Sequence, residues 1–175
     1  MKANDALARW FYRGGRPNRV AAALNRTWAT LSSAGLWPSR MAALEVRGRR
    51  SGRLRSFPVV LTACDGERYL VAMLGEGTNW VANVRAAGGE AVLRHGRREA
   101  VRLEEVAAAE RAPILRRYLQ VAPGGRPHIP VDPRAPLAAF EEIAGGYPVF
   151  RVSARASRGA PATANTDIGA VCRQT

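Results

Sequence analysis

The stretch EVRGRRSGRLRSFPVV, residues Glu45 to Val60, decides how the chain folds. Apolar, strand-like runs lie on either side of it, Ala42 to Val46 before and Leu54 to Ala63 after. Between them Gly48 and Gly52 punctuate a short turn. A parallel pair would need a crossover of a dozen or more residues, so these two strands must pair antiparallel. Five arginines, Arg47, Arg49, Arg50, Arg53 and Arg55, crowd into nine residues at the turn. The hairpin therefore carries a concentrated positive charge at its tip.

The same strand-and-turn rhythm continues downstream. Asp65-Gly66 is a turn signal that leads into Tyr69 to Leu74 as the next hairpin partner. Gly75 and Gly77 break the pattern. Thr78 suits an N-cap for a helix over Asn79 to Ala87, which stops at Gly88-Gly89. Glu90 to Arg94 and Arg98 to Val106 form a pair around His95-Gly96-Arg97. In the second of these, Val101 and Leu103 alternate with Arg102 and Glu104, the period of a half-exposed strand. Ala107 to Leu119 reads as a helix, with Pro113 inside it, or near its start if the helix begins at Glu110. A Pro- and Gly-rich loop, a short helix over Leu137 to Ala144 and a strand over Tyr147 to Val152 complete the pattern.

About six antiparallel strands with peripheral helices make the fold class mainly β with helices (α+β). A small closed barrel removes the open edges that such a set would otherwise expose. Upstream, Ala3 to Tyr12 reads as a short helix. A second, from Pro17 to near Gly35, carries Val20, Leu24, Trp28 and Leu31 at helical spacing. The expected organisation is one domain over residues 1–152, with helices in 1–40, and a small, polar tail over 153–175 without periodicity, expected to be disordered.

Composition bounds the function. With 175 residues and 47% hydrophobic content, the chain suits one domain with its own core. No apolar run reaches the roughly 20 residues of a membrane span. The N-terminus lacks the apolar stretch of a signal peptide, so a cytoplasmic location is expected. The basic, tryptophan-containing N-terminal helix also suits a weak peripheral contact with a membrane. Cys64 and Cys172 cannot build a disulfide framework or a zinc site. The net charge is +13, and Lys2 is the sole lysine. Arginine forms bidentate contacts with phosphate and carboxylate groups. Nucleic acid, a membrane surface or an anionic cofactor would each satisfy that charge. No nucleic-acid reader motif accompanies it, so no specific nucleic-acid partner is expected.

Two stretches offer chemistry. In the first, the turn Gly48 to Gly52 exposes backbone amides that can form an anion-binding nest, with the Ser51 hydroxyl beside them. Strand alternation places Arg53, Arg55 and Phe57 on one side. In the second, GEGTNWVANVRAAGG, a helix start follows a glycine break. Trp80 and Asn83, at i and i+3, share a helix face. They suit either a flat aromatic ligand or a core anchor with a capping amide, and both readings stand. Standard catalytic devices are missing from the sequence. His95, at a turn and expected to be exposed, and His128 are too far apart for a metal cluster, and no metal is expected. There is no GxSxG elbow, P-loop or GxGxxG. Glu104-Glu105 and Glu141-Glu142 read as solvated faces. A barrel with an anion-binding mouth and no machinery of its own would take its chemistry from a cofactor.

In their order and spacing these motifs resemble the deazaflavin-dependent nitroreductase family, split-barrel oxidoreductases that use coenzyme F-420. The resemblance rests on Gly48-Arg49-Arg50-Ser51-Gly52, then Arg55 and Pro58, Asp65-Gly66, and Trp80 with Asn83. It covers Ala42 to Val106 well and continues weakly to PVFRV. It implies a split β-barrel of the flavin-reductase or FMN-binding type, and hydride transfer from the reduced deazaflavin to a small acceptor such as a quinone or a nitro compound. It also implies a set of cofactor contacts. Arg49, Arg50 and Ser51 would meet the phosphate or polyglutamate end. Arg55, Ser56, Phe57, Pro58, Val59 and Val60 would line the groove. Ala72, Met73, Leu74 and Gly75 would back the ring with main-chain groups. Asn79, Trp80, Val81, Ala82 and Asn83 would close over it. Nitro-reducing members carry tyrosines after the long helix, where this chain has QVAPGGRPHIP. His128 is the proton-donor candidate there. FMN is the alternative cofactor, and a nucleic-acid or membrane-surface binder without turnover is the alternative function. The sequence fits a monomer or a homodimer.

Overall fold

The computed structural model describes residues 40–155. The N-terminal helices expected over 1–40 and most of the expected tail lie outside the described residues. Six strands close into a barrel in the order β1-β2-β3-β6-β5-β4, with β4 returning to β1. Strand β1 is Met41–Arg47, β2 Leu54–Cys64, β3 Glu67–Val71, β4 Glu90–His95, β5 Arg97–Glu105 and β6 Val149–Ala154. Every pairing is antiparallel. Helix α1 (Asn79–Ala86) joins β3 to β4, and α2 (Arg111–Val121) and α3 (Leu137–Ile143) fill the long connection from β5 to β6.

Period-two alternation sorts the side chains. Ala42, Leu44 and Val46 of β1, Val59 of β2, Leu70 of β3, Leu93 of β4, Val101 and Leu103 of β5, and Phe150 and Val152 of β6 share one buried cluster inside the barrel. Helix α1 is not peripheral. It sends Trp80, Val81 and Val84 into that same cluster. The opposite alternation of β2 and β3 puts Cys64 and Val71 into a second core under α2 and α3, with Leu115, Leu119, Ile129 and Phe140. Burying so many apolar side chains, at about 1.5–3 kcal/mol each, is the dominant favourable term in holding this architecture.

The sheet is uneven in a way that matters for function. Strand β2 has eleven residues. Its first seven, Leu54 to Val60, pair with β1, whereas only Leu61 to Cys64 pair with β3. The β3-facing edge of Leu54 to Val60 therefore has no strand partner among the described residues. This opening is the split in the barrel. On the opposite side of the barrel, where the chain enters β4 against β5, close packing needs a glycine. Gly89 sits at φ +84° with its carbonyl bonded to the Leu103 amide at 2.8 Å, and a Cβ there would run into the Leu103 carbonyl.

Several boundaries differ from expectation. Strand β3 ends at Val71 rather than Leu74: the Ala72 amide still bonds to the Pro148 carbonyl, but proline has no N–H to return the bond, and Ala72 O accepts from Gly75 N–H instead as the chain turns back. Helix α2 begins at Arg111, after a 3₁₀ turn over Ala108–Glu110, so Pro113 lies in its first turn. Strand β6 runs on to Ala154, past the expected boundary at 152, because Ser153 and Ala154 pair with Arg102 and Val101. His95 is half-buried, not exposed; its Nδ1 lies 2.7 Å from the Met41 carbonyl.

Candidate active site

The turn between β1 and β2 is held by its own backbone. Gly48 N–H donates to the Arg53 carbonyl at 2.9 Å, and Gly52 N–H to the Gly48 carbonyl at 2.8 Å. Gly52 adopts φ +64°, a left-handed conformation that glycine takes without cost. The turn leans on helix α1 through one side chain. Asn83 Oδ1 accepts from both the Arg49 backbone N–H and the Arg49 Nη1, each at 3.2 Å. The two sequence motifs thus meet at Arg49 and Asn83.

Charge pairing is uneven over the surface. Arg68, Arg85, Arg94, Arg98, Arg102, Arg111, Arg151 and Arg155 each lie within ion-pair distance of a glutamate. None of the five turn arginines has a carboxylate partner among the described residues, and all five are exposed. Arg55, on the inward-facing side of β2 and opposite Val46 on β1, stands at the barrel mouth. So a cluster of unneutralised charge lies where the β2 edge opens; Arg97, Arg126 and Arg134 are also exposed and in no ion pair among the described residues, but they are scattered along the chain.

Across the opening lies Ala72 to Gly75. Its conformation is fixed from several sides. Pro148 O accepts from Ala72 N–H, and the Tyr118 hydroxyl of α2 donates to the Met73 sulfur at 3.3 Å. Burial pushes the Tyr118 phenol well above its ordinary pKa, so it stays protonated. Gly75 O accepts from the Thr78 hydroxyl at 2.6 Å and from the Thr78 amide at 3.2 Å. Thr78 precedes α1 as expected, but its hydroxyl serves this loop instead of capping the helix.

The other expected contact residues divide by burial. Arg49, Arg50, Ser51, Arg55 and Ser56 are exposed, and Phe57, Pro58, Val60, Met73, Leu74, Gly75, Asn79 and Ala82 are partly so. Val59, Ala72, Trp80, Val81 and Asn83 are buried. Trp80 packs its ring 5.3 Å from that of Phe150. Of the two readings of Trp80, the core anchor is the one its burial fits. His128 is half-buried, and desolvation lowers its pKa, so the imidazole is neutral at pH 7. Its carbonyl accepts from the Tyr147 hydroxyl at 2.9 Å, beside the Pro148 that holds Ala72. No group of three or more metal-ligating side chains occurs among the described residues.

Residues 19–128, more than half of the chain, match the family described as F420H2-dependent quinone reductase. The chain belongs to that family. The reductase thus uses reduced coenzyme F-420 to reduce a quinone-like acceptor. Among solved structures it is similar to an F420-H2 dependent reductase at 19% identity and TM-score 0.45, over 66% of this chain and 95% of the other. It is also similar to a protein of unknown function from Agrobacterium tumefaciens at 14% identity and TM-score 0.50, over 72% of this chain and 53% of the other. A conserved hypothetical protein from Mycobacterium tuberculosis shows 15% identity and TM-score 0.47, over 71% and 78%. No curated protein matches.

Sequence reasoning missed two residues, Arg111 and Glu105, that tie together segments beside the candidate site. Arg111 is buried and donates to the carbonyls of Val106, Ala144 and Tyr147 and to Glu105. Glu105, expected to be solvated, is clasped by Arg85 and Arg111. Its adjacency to Glu104 hid this, because neighbours in a strand point to opposite faces. No helix among the described residues is long and apolar enough to cross a membrane.

Proposed function

We propose that the Gly48 to Gly52 turn binds the anionic tail of coenzyme F-420, and that the open edge of β2 and the Ala72 to Gly75 segment receive its ring. The observation that carries this reading is the set of five exposed arginines with no carboxylate partner among the described residues. Unpaired guanidinium groups beside turn amides favour phosphate and carboxylate ligands. The family's cofactor, by the resemblance, carries both.

Each part then has a role. Arg50 and Arg55 meet the tail's charge directly. Arg49 also contributes charge, but its amide and one guanidinium nitrogen are already committed to Asn83, so it orients the turn. The exposed backbone groups of β2 can pair with the polar edge of a flat ring. Phe57, half-buried against the barrel core, can bound it on an apolar side. The main chain of Ala72 to Gly75 is preset by the hydrogen bonds already described, so little order is lost on binding. When bound, the reduced deazaflavin supplies the hydride. The protein orients it toward an acceptor in the cleft and limits water there. His128, neutral at pH 7, offers a hydrogen bond to an acceptor oxygen, and the proton that completes a hydroquinone comes from solvent.

The test is cofactor affinity of Arg50→Ala/Arg55→Ala against tail length. The loss is expected to grow from short-tailed to long-tailed forms of oxidised F-420. Equal affinity of the variant and the wild type would refute the placement.

A further inference from the structure

We infer that Arg85 is a positioning residue for the loop that backs the coenzyme ring; the inference rests on the cofactor placement proposed above. The juxtaposition is a chain of alternating charges that starts in the protein interior and ends on that loop. Buried Arg111, at the start of α2, donates from Nη2 to Glu105 Oε1 at 3.1 Å. Glu105, the last residue of β5, accepts from Arg85 Nε at 2.8 Å and from Arg85 Nη2 at 2.7 Å. Arg85, on the last turn of α1, also donates to Glu76 from Nη1 at 2.7 Å and from Nη2 at 3.1 Å. One guanidinium thus holds two carboxylates, each with two hydrogen bonds.

Glu76 is where the network meets the site. It stands between Gly75 and Gly77, and it is the one residue of that triplet with a side chain. Gly75 sits at φ +76° and has room for little else, since a Cβ there would lie 3.1 Å from the Gly146 carbonyl. Two glycines leave the loop backbone free to swing. The inner side is fixed by Thr78 and Pro148, and the outer side is held by Glu76 through Arg85. The far end of the network grips the same region a second time, because Arg111 Nη1 also reaches the Tyr147 carbonyl at 3.4 Å, next to Pro148.

An isolated exposed ion pair contributes little, because solvent screens it and two side chains must be ordered. This arrangement differs in two respects. The contacts are forked, which gives them fixed geometry. They also end on a buried cation whose other donors are taken by carbonyl groups, so the network cannot drift. Hydrogen bonding to Arg85 holds the Glu76 and Glu105 carboxyls below their ordinary pKa.

The network acts on the ring pocket and not on the arginine turn, which predicts a distinctive pattern. In the full-length protein, Arg85→Ala should weaken binding of oxidised F-420 by about ten-fold, by the same factor for short-tailed and long-tailed forms, and should also lower kcat with a soluble naphthoquinone. Arg85→Lys, with one cationic centre, should recover part of the loss. Glu76→Gln, an exposed loop change, should repeat the effect more mildly with an unaltered Tm. Hydrogen exchange of the Ala72 to Asn79 amides should speed up in Arg85→Ala and in Glu76→Gln without cofactor present. Unchanged exchange in that segment would overturn the inference, even if the wild type failed to bind F-420 and the cofactor placement fell separately. Normal affinity and kcat in Arg85→Ala would also overturn it, and so would a loss that grows with tail length.

Discussion

Asn83 offers a way to separate folding from function in one residue. Its buried Oδ1 accepts two hydrogen bonds from Arg49, one of them from a charged donor. Asn83→Ala removes both and leaves the Arg49 amide without this partner, a change that costs about 1–3 kcal/mol. For a chain of this length that corresponds to a fall in Tm of about 2–4 °C per kcal/mol. Asn83→Asp should behave differently. The carboxylate keeps the acceptor geometry and gains attraction to the Arg49 guanidinium, which offsets its desolvation, so Tm should stay within about 3 °C of the wild type. It also places a negative charge against the anion site. Unit charges 4 Å apart interact by about 1 kcal/mol in water and about 4 kcal/mol at an effective dielectric near 20. An exposed turn lies toward the lower figure, so about 1–2 kcal/mol of binding should be lost, roughly five- to thirty-fold in Kd. Thermal unfolding and fluorescence titration with F-420 read the two effects separately. Wild-type affinity in Asn83→Asp would refute the placement of the tail beside Asn83.

Two further outcomes follow from the barrel itself. Gly89→Ala forces an L-residue to φ +84° and drives its Cβ into the Leu103 carbonyl, so it should lower stability by at least about 3 kcal/mol, read as a shift in urea midpoint. At the other end of the barrel, Arg68 holds Glu99 with two hydrogen bonds, at 2.9 and 2.6 Å, and keeps its carboxyl below the ordinary value of 4.5. A depressed folded-state pKa contributes stability that is present above about 4.5 and lost as pH falls through the depressed value. Glu99→Gln should therefore be less stable at pH 7 and lose less on acidification; an acid limb identical to the wild type would contradict that role.

Much of this architecture was readable from local pattern. The alternation of Ala42, Leu44 and Val46, with Gly48 and Gly52 behind them, places the first hairpin within a residue at each boundary. The pairing of β4 with β5 around Gly96 is equally local. The end of β3 was not, because Val71 to Leu74 continues an apolar run and only the distant Pro148, which has no N–H to give Ala72, decides where it leaves the sheet. The site divides the same way. Arg49, Arg50 and Arg55 stand out by composition. Trp80 and Asn83 share a helix spacing, yet one turns to Phe150 inside the barrel and the other to Arg49 outside it. The Arg111–Glu105–Arg85–Glu76 network was invisible, because it joins four elements through charged residues that look like ordinary surface in isolation.

The most direct test of the account is a fluorescence titration of the wild-type protein with oxidised coenzyme F-420, run beside the same titration with FMN. Saturable binding of the deazaflavin, weakened by salt and by Arg50→Ala/Arg55→Ala, is the predicted result. Binding of FMN alone, or of neither, would contradict the claim that the arginine turn and the open edge of β2 form a deazaflavin site.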